Sequence, residues 1–388
     1  MEEQHAQIIS FLDAHAAEQL KLVIELCNQN SYSYHKAGAD KVGAMLQQQL
    51  ADIFPEPERV EQTEVGNHLI FRNQTLGQAI YLVGHLDTVF PPEHPFQQCR
   101  REGELLFGPG TADMKGGLAV IIYALKALQQ VNLLNQFNLV VIFNSDEELG
   151  SVTSRPLFLK ERTRAQACLV AECAGPNREV VTSRNGKMAI RIDCTGRDQH
   201  VTYVTRQKTS AVVALAHHII AIESLNGKFP GVSLNVGKIE GGLGPSTVPV
   251  QANCLVDLRW EQAEQREPVL EAVRQQLAHS VQPGCGSNLT VLNSRPAMSQ
   301  SAASANLFQI VQAVGRRLGQ EIQAEHRKGT SDANFFGAAG VPTLDGFGPV
   351  GQNDHTANEF INIASLNERT KLLALFLMRY GDLTGIIE

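Results

Sequence analysis

The sequence predicts an α/β fold: a mostly parallel central sheet flanked by helices, with a smaller ferredoxin-like α+β domain inserted into it. Three observations carry this expectation. Short, continuously apolar runs alternate with helical spacing in the first half of the chain. Half-exposed, alternating strands replace them over residues 184–295. The α/β character then returns after Pro296. The expected boundaries are therefore 1–183 and 296–388 for the interrupted domain and 184–295 for the insertion.

The elements follow in order. Residues 79–83 form an apolar run ending at Gly84, as a buried strand does. Leu118, Ile121, Ile122, Leu125 and Leu128 recur at helical spacing over 117–130. Residues 139–143 and 168–171 read as the second and third buried strands. In the insertion, 188–192 alternates, 209–225 is helical, and strands are expected near 232–239 and 250–259. A helix near 268–279 and a strand near 289–292 complete a β-α-β-β-α-β order. Beyond Pro296, a helix over 302–318, a short strand at 342–344 and a helix over 363–380 close the chain.

Composition narrows the function classes. Hydrophobic residues are 43% and charged residues 19% of the chain, so a packed core is expected rather than disorder. The net charge of −7 comes without a basic stripe, which excludes a nucleic-acid footprint. The acidic start Met1-Glu2-Glu3 resembles no secretory signal, and no apolar stretch reaches the roughly 18 to 20 residues that span a bilayer. A cytoplasmic protein without a membrane partner is expected. The seven cysteines contain no CxxC pair and sit mostly in apolar stretches, the pattern of buried reduced thiols.

Open α/β sheets bind ligands beyond the carboxyl ends of their strands. Here those ends carry His85-x-Asp87, Asp146-Glu147-Glu148 and Glu172. Asp113 stands at a helix start, and His355 near the C-terminus. Each has an ordinary reading alone: a loop histidine, a solvated acidic turn, or, for Asp113, a helix cap. Their recurrence at successive strand ends points instead to a metal centre with oxygen and nitrogen ligands, suited to zinc or a related divalent ion. A paired site needs one shared carboxylate and two further ligands for each ion, and the residues present meet that count.

The ordered set His85-x-Asp87, Asp113-Met114-Lys115-Gly116, Asp146-Glu147-Glu148, Glu172, the inserted domain and His355 resembles the M20 family of metallopeptidases. That family includes glutamate carboxypeptidases, N-acyl-amino-acid deacylases and succinyl-diaminopimelate desuccinylases. The resemblance implies a dinuclear-metal hydrolase: Asp113 bridging two ions, His85 and Glu172 completing one, Glu148 and His355 the other. The ions would be zinc, with cobalt or manganese as alternatives. Asp87 would hydrogen-bond the far ring nitrogen of His85, and Glu147 would be the general base.

From the insertion, the resemblance implies that His200 stabilises the tetrahedral intermediate, often in a neighbouring subunit's site. It assigns Arg259 to a substrate carboxylate and Ser246 to a substrate-binding position where many members carry Asn. Two departures concern substrate recognition: Ser246 itself, and Val201-Thr202-Tyr203-Val204-Thr205-Arg206 after His200, where a Gly/Pro-containing stretch is usual. Gly329-Thr330-Ser331-Asp332-Ala333 resembles a pocket-lining loop and also reads as a helix N-cap. His217 and His218 lie on a helix and are not expected to be ligands. The implied substrate is a short peptide or an N-acyl amino acid, and the implied assembly a homodimer through a lid-like insertion. The rivals are a catalytically silent binding protein on the same scaffold and a dinuclear phosphoesterase, which would want more basic residues near the site.

Overall fold

The computed structural model describes residues 2–74, 77–204, 208–278 and 282–385. Internal contacts divide the chain into two compact units. One comprises Met1–Ser183, Gln300–Arg327 and Ser331–Glu388; the other comprises Arg184–Ser299 and Lys328–Thr330. The second unit thus runs past the expected end at 295 and takes in a short return of the chain. Thr205, Arg206 and His279 lie outside the described residues.

The first unit is built on a six-stranded sheet. Its order is Glu58–Val60, His68–Arg72, Leu139–Asn144, Ala79–His85, Ala165–Val170 and Thr343–Leu344. The last four strands are parallel to one another, and His68–Arg72 joins antiparallel. Every residue of Ala79–His85 and Leu139–Asn144 is buried, so both faces of the sheet are covered. The first of these strands continues through Gly84, which makes His85 its last residue.

Helix Gly116–Gln130 is buried almost around its circumference and packs against Glu2–Ala14, Ala16–Asn28 and Ile363–Thr384. Three N-terminal helices, Glu2–Ala14, Ala16–Asn28 and Lys36–Leu50, lie outside the predicted elements. Their buried Ile8, Leu12, Leu22, Val23 and Leu26 nonetheless stand at helical spacing. A small antiparallel sheet ties the two chain segments of this unit together. In it Phe360–Asn362 lies between Leu105–Phe107 and Gly351–Gln352, with Phe360 opposite Phe107.

The second unit has the β-α-β-β-α-β order, with helices Ala211–Glu223 and Arg266–Ala278. Its antiparallel sheet runs Val232–Gly241, Gln251–Trp260, Gly186–Thr195, Gly286–Arg295, the ferredoxin-like arrangement. Burial alternates along the two central strands. Their inward residues Met188, Ile190, Ile192, Val256, Leu258 and Trp260 share one core with Leu215, Ile222 and Val269 of the helices. His218 belongs to this core region, with Nε2 2.7 Å from Ser287 Oγ. All seven cysteines are free, four of them buried. Among the described residues no helix is long and apolar enough to cross a membrane.

One close approach sets the distance between sheet and helix where the acidic residues gather. A Cβ on Gly117 would lie 1.8 Å from the carbonyl oxygen of Ala171, the residue before Glu172. Backbone cannot yield as a side-chain tip can. Gly117→Ala is therefore expected to destabilise the protein by about 3 kcal/mol. Chemical unfolding measures this, and an unchanged midpoint would contradict the close packing.

Candidate metal centre

The acidic and imidazole residues of the first unit converge at the carboxyl ends of its parallel strands. His85 ends one strand, Glu147 and Glu148 form a 3-10 turn just beyond Leu139–Asn144, and Glu172 follows Ala165–Val170. Asp113 sits in the turn Thr111–Lys115, whose backbone at Asp113 and Met114 is not helical. The helix-cap reading of Asp113 is thereby corrected: Lys115 holds the N-cap position of Gly116–Gln130, and no side chain caps it. Gly110 enters the turn at φ +77°, a conformation that favours glycine. Lys115 is fully buried, and its Nζ donates to the carbonyls of Leu26 and Gln29, both at 2.9 Å. The turn is thus anchored to the C-terminal end of helix Ala16–Asn28.

Asp113 is the centre of the cluster. Its Oδ1 lies 2.8 Å from His85 Nε2, and its Oδ2 lies 3.2 Å from His355 Nε2. His355 Nε2 is also 2.9 Å from Glu148 Oε2, and His85 Nε2 is 3.7 Å from Glu172 Oε1. His85, Asp113 and Glu148 offer ligand atoms within 4.8 Å of one another, and so do Asp113, Asp354 and His355. Asp354 was not among the sequence candidates, because an acid beside a loop histidine carries no distinguishing pattern.

Burial and proximity shift the protonation of most of these groups. Burial and the Asp113 charge push Glu148 up to about 8, with the His355 contact opposing them. Burial and the same charge hold Glu172 well above the usual carboxylate range. Burial disfavours a charge on His85, yet its contacts with Asp113 and Asp87 and the charge of Glu172 raise it well above the usual imidazole range. Contacts with Asp113 and Glu148 raise His355 to about 11. Asp113 itself is lowered, because both histidine contacts outweigh the effect of burial. The facing carboxylates thus favour a protonated form of each histidine, and burial with the Asp113 charge favours protonated Glu148 and Glu172. A divalent ion would take the place of those protons, and the oxygen and nitrogen donors suit zinc and its neighbours. The residues fit a metal pair.

Asp87 differs from expectation in detail. Its main-chain oxygen is the nearer acceptor for His85 Nδ1, at 3.0 Å, and its carboxylate lies at 3.4 Å. The carboxylate also accepts from the backbone N–H groups of Glu147 and Glu148, at 3.2 and 3.3 Å, and from Ser33 Oγ at 2.7 Å. It thereby orients the ring and the acidic turn together. Ser33, distant in sequence, had no signal that could have found it.

Asp146 is not part of a solvated turn: it is fully buried and accepts from Thr153 and Ser154. Asp332 holds the N-cap position of helix Ala333–Gly337, but its carboxylate accepts from Ser151 instead. The capping contact comes from Ser331 Oγ, which accepts from the N–H of Ala333 at 3.2 Å. Glu359, another carboxylate that sequence reasoning missed, is buried, and burial with the Asp113 charge pushes it up to about 8.

The remaining candidates lie in the second unit. His200 Nδ1 is 2.8 Å from Thr202 Oγ1, and His200 forms a backbone bridge with Thr247, next to the exposed Ser246. Arg259 donates to Asp257 Oδ1 at 2.8 Å and to the Lys328 carbonyl at 3.2 Å. In strand register, Gln251 pairs with Thr195 at the His200 end of the sheet, and Arg259 pairs with Lys187 at the other. The span from 251 to 259 corresponds to about 27 Å of extended strand.

Residues 81–379 match the family model described as peptidase family M20/M25/M40. The chain is 25% identical over 312 residues to carboxypeptidase G2 of Pseudomonas sp. (strain RS-16), covering 79% of this chain and 74% of that one. It is 25% identical over 382 residues to succinyl-diaminopimelate desuccinylase of Colwellia psychrerythraea, covering 91% and 93%. The structure is similar to the Bacillus subtilis YXEP protein, a dinuclear metal-binding peptidase of the M20 family. That likeness has a TM-score of 0.69 at 15% identity and covers 95% of this chain and 99% of that one.

Contacts with Asp113 and Glu148 raise His355 to about 11, and burial with the Asp113 charge raises Glu148 to about 8, so this contacting pair retains at least one proton at pH 7. Zinc uptake at pH 7 is expected to release at least about one proton per chain. Calorimetric titration in two buffers of different ionisation enthalpy measures it, and uptake without release would refute this account of the cluster.

Proposed function

Because the chain belongs to peptidase family M20/M25/M40, we propose that it is a dinuclear-zinc-dependent hydrolase of amide bonds. It releases an amino acid from a short peptide or an N-acyl amino acid. The observation that carries this reading is Asp113, whose two oxygens each face a different imidazole, as a carboxylate shared between two ions must. In this reading His85 and Glu172 would complete the holding of one ion, and Glu148 and His355 that of the other. Both relatives carry names that describe cleavage of an acyl–amino-acid bond, one a carboxypeptidase and the other a desuccinylase.

Bound there, the ion pair supplies Lewis acidity toward the scissile carbonyl and lowers the pKa of a water toward about 7. Glu147, outside the ligand set but adjacent to Glu148, takes the proton from the attacking water and delivers it to the leaving nitrogen. The Asp87 carboxylate, by accepting from the N–H groups of both glutamates, keeps base and ligand in fixed relation. His200 donates to the oxyanion, Arg259 grips the substrate carboxylate with its planar fork, and Ser246 adds a polar substrate contact.

His200 and Arg259 stand at opposite ends of one sheet, too far apart for a small substrate to touch both within one copy of the insertion. This supports a homodimer in which each site draws them from different chains.

Glu147→Ala is expected to keep two metals by mass spectrometry while kcat on acyl-amino-acid amides falls by about 10²–10⁴. Loss of metal together with activity would remove Glu147 from the role of base. A well-folded, metal-supplemented wild type that binds no metal and cleaves no amide would favour a silent binding protein. A preference for phosphate esters would favour phosphoryl chemistry. Mixing inactive His200→Ala and Arg259→Ala chains under exchange conditions should restore activity. No recovery, with mixed dimers present, would argue that both residues serve the same copy.

A further inference from the structure

The loop that carries His355 ends on Glu359, four residues later, and Glu359 is 1% exposed. Its carboxylate reaches into the turn that carries Asp113. Oε2 accepts from the N–H of Gly110 at 2.9 Å; Oε1 accepts from those of Ala112 at 2.8 Å and Asp113 at 3.0 Å. A further bond runs between the backbones, from Gly108 N–H to the Glu359 carbonyl at 3.2 Å. Immediately after Glu359, strand Phe360–Asn362 pairs with Leu105–Phe107, so the register of the small sheet carries both loops to this point.

Three converging backbone donors would otherwise be unsatisfied at a turn that forms no regular helix. One carboxylate satisfies them all. Because His355 and Glu359 share a short loop, the same side chain sets where the Asp113 carboxylate stands relative to His355.

We propose that Glu359 is a positioning residue of the metal centre: it holds the Asp113 turn from behind, so that the shared carboxylate faces both histidines. The inference rests on the dinuclear reading of the site. Among the described residues the Glu359 carboxylate hydrogen-bonds no ligand side chain, and it acts through the backbone of Gly110, Ala112 and Asp113. Since Asp113 serves both ions in that reading, a displaced turn weakens both sites together, unlike loss of a ligand that serves one.

The test compares wild type, Glu359→Gln and Glu359→Asp. Glu359→Gln replaces one acceptor oxygen with an NH₂ donor that would oppose a backbone N–H. Glu359→Asp keeps the carboxyl group but shortens the reach. Zinc affinity is measured by competition with a chromophoric chelator, the cobalt(II) form by visible absorption, and the metal-free fold by circular dichroism.

The expected result for a folded Glu359→Gln is a loss of about 10- to 100-fold in affinity at both sites, with an altered cobalt spectrum. Wild-type affinities and an unchanged spectrum in that variant would overturn the proposal. If Glu359→Gln does not fold, the decision passes to Glu359→Asp, where a tenfold loss supports the proposal and none overturns it. A wild type that binds no ions overturns the dinuclear reading itself. One that binds two while the variants match it overturns only the role of Glu359.

Discussion

The structure of the first unit turns on the cost of placing many carboxylates inside one protein. Asp87, Asp113, Asp146, Glu148, Glu172 and Glu359 are all substantially buried around the ends of the parallel strands. An ionised carboxylate away from water needs partners, or it takes up a proton. The chain meets this need reciprocally, because acids whose oxygens are occupied by backbone N–H groups hold the loops that carry other acids. Asp87 holds the Glu147–Glu148 turn, Asp146 holds the chain at Thr153 and Ser154, and Glu359 holds the turn of Asp113. The innermost carboxylates, Asp113, Glu148 and Glu172, instead face two histidines, and burial with the Asp113 charge raises Glu148 and Glu172 toward their protonated forms. A divalent cation bound among them would take the place of those protons.

The packing beneath the cluster serves the same end. The continuously buried strands Ala79–His85 and Leu139–Asn144 are in parallel register, with His85 beside Asn144, so the residues just beyond them emerge at one level. Gly117 lets helix Gly116–Gln130 approach the end of the third strand, which brings the Asp113 turn close to Glu172. Lys115, which meets no carboxylate in hydrogen-bonding range among the described residues, directs its charge to the last carbonyls of a neighbouring helix. The second unit obeys a different rule, a single-faced antiparallel sheet with alternating burial. Its length separates His200 from Arg259 and so gives the proposed dimer a geometric reason.

Much of this was legible in the sequence. Apolar runs marked the three central strands, helical spacing marked Gly116–Gln130, and the β-α-β-β-α-β order marked the insertion, because period and burial are properties of local sequence. The N-terminal helices were missed although their apolar positions stood at helical spacing. The strands Glu58–Val60 and His68–Arg72 at one side of the sheet were also missed, being short and dependent on pairing partners for their existence. For Asp113 the helix-cap reading failed because distant histidines face its side chain, whereas residues 329–333 do cap a helix, through Ser331 Oγ.

By itself the sequence determined the alternation of strands and helices, the insertion, and the identity of the acids and imidazoles at strand ends. These follow from hydrophobic periodicity and from which side chains can bind a cation. Only the tertiary structure decided which oxygen of Asp113 faces which histidine, that the Asp87 main chain rather than its carboxylate lies nearer His85, and that Ser33 and Glu359 belong to the same assembly. Apart from the His85–Asp87 contact, which spans two positions, those outcomes depend on contacts between residues tens to hundreds of positions apart. Such contacts leave no period in the chain, and they are selected only when the buried polar groups of the folded protein must each find a partner.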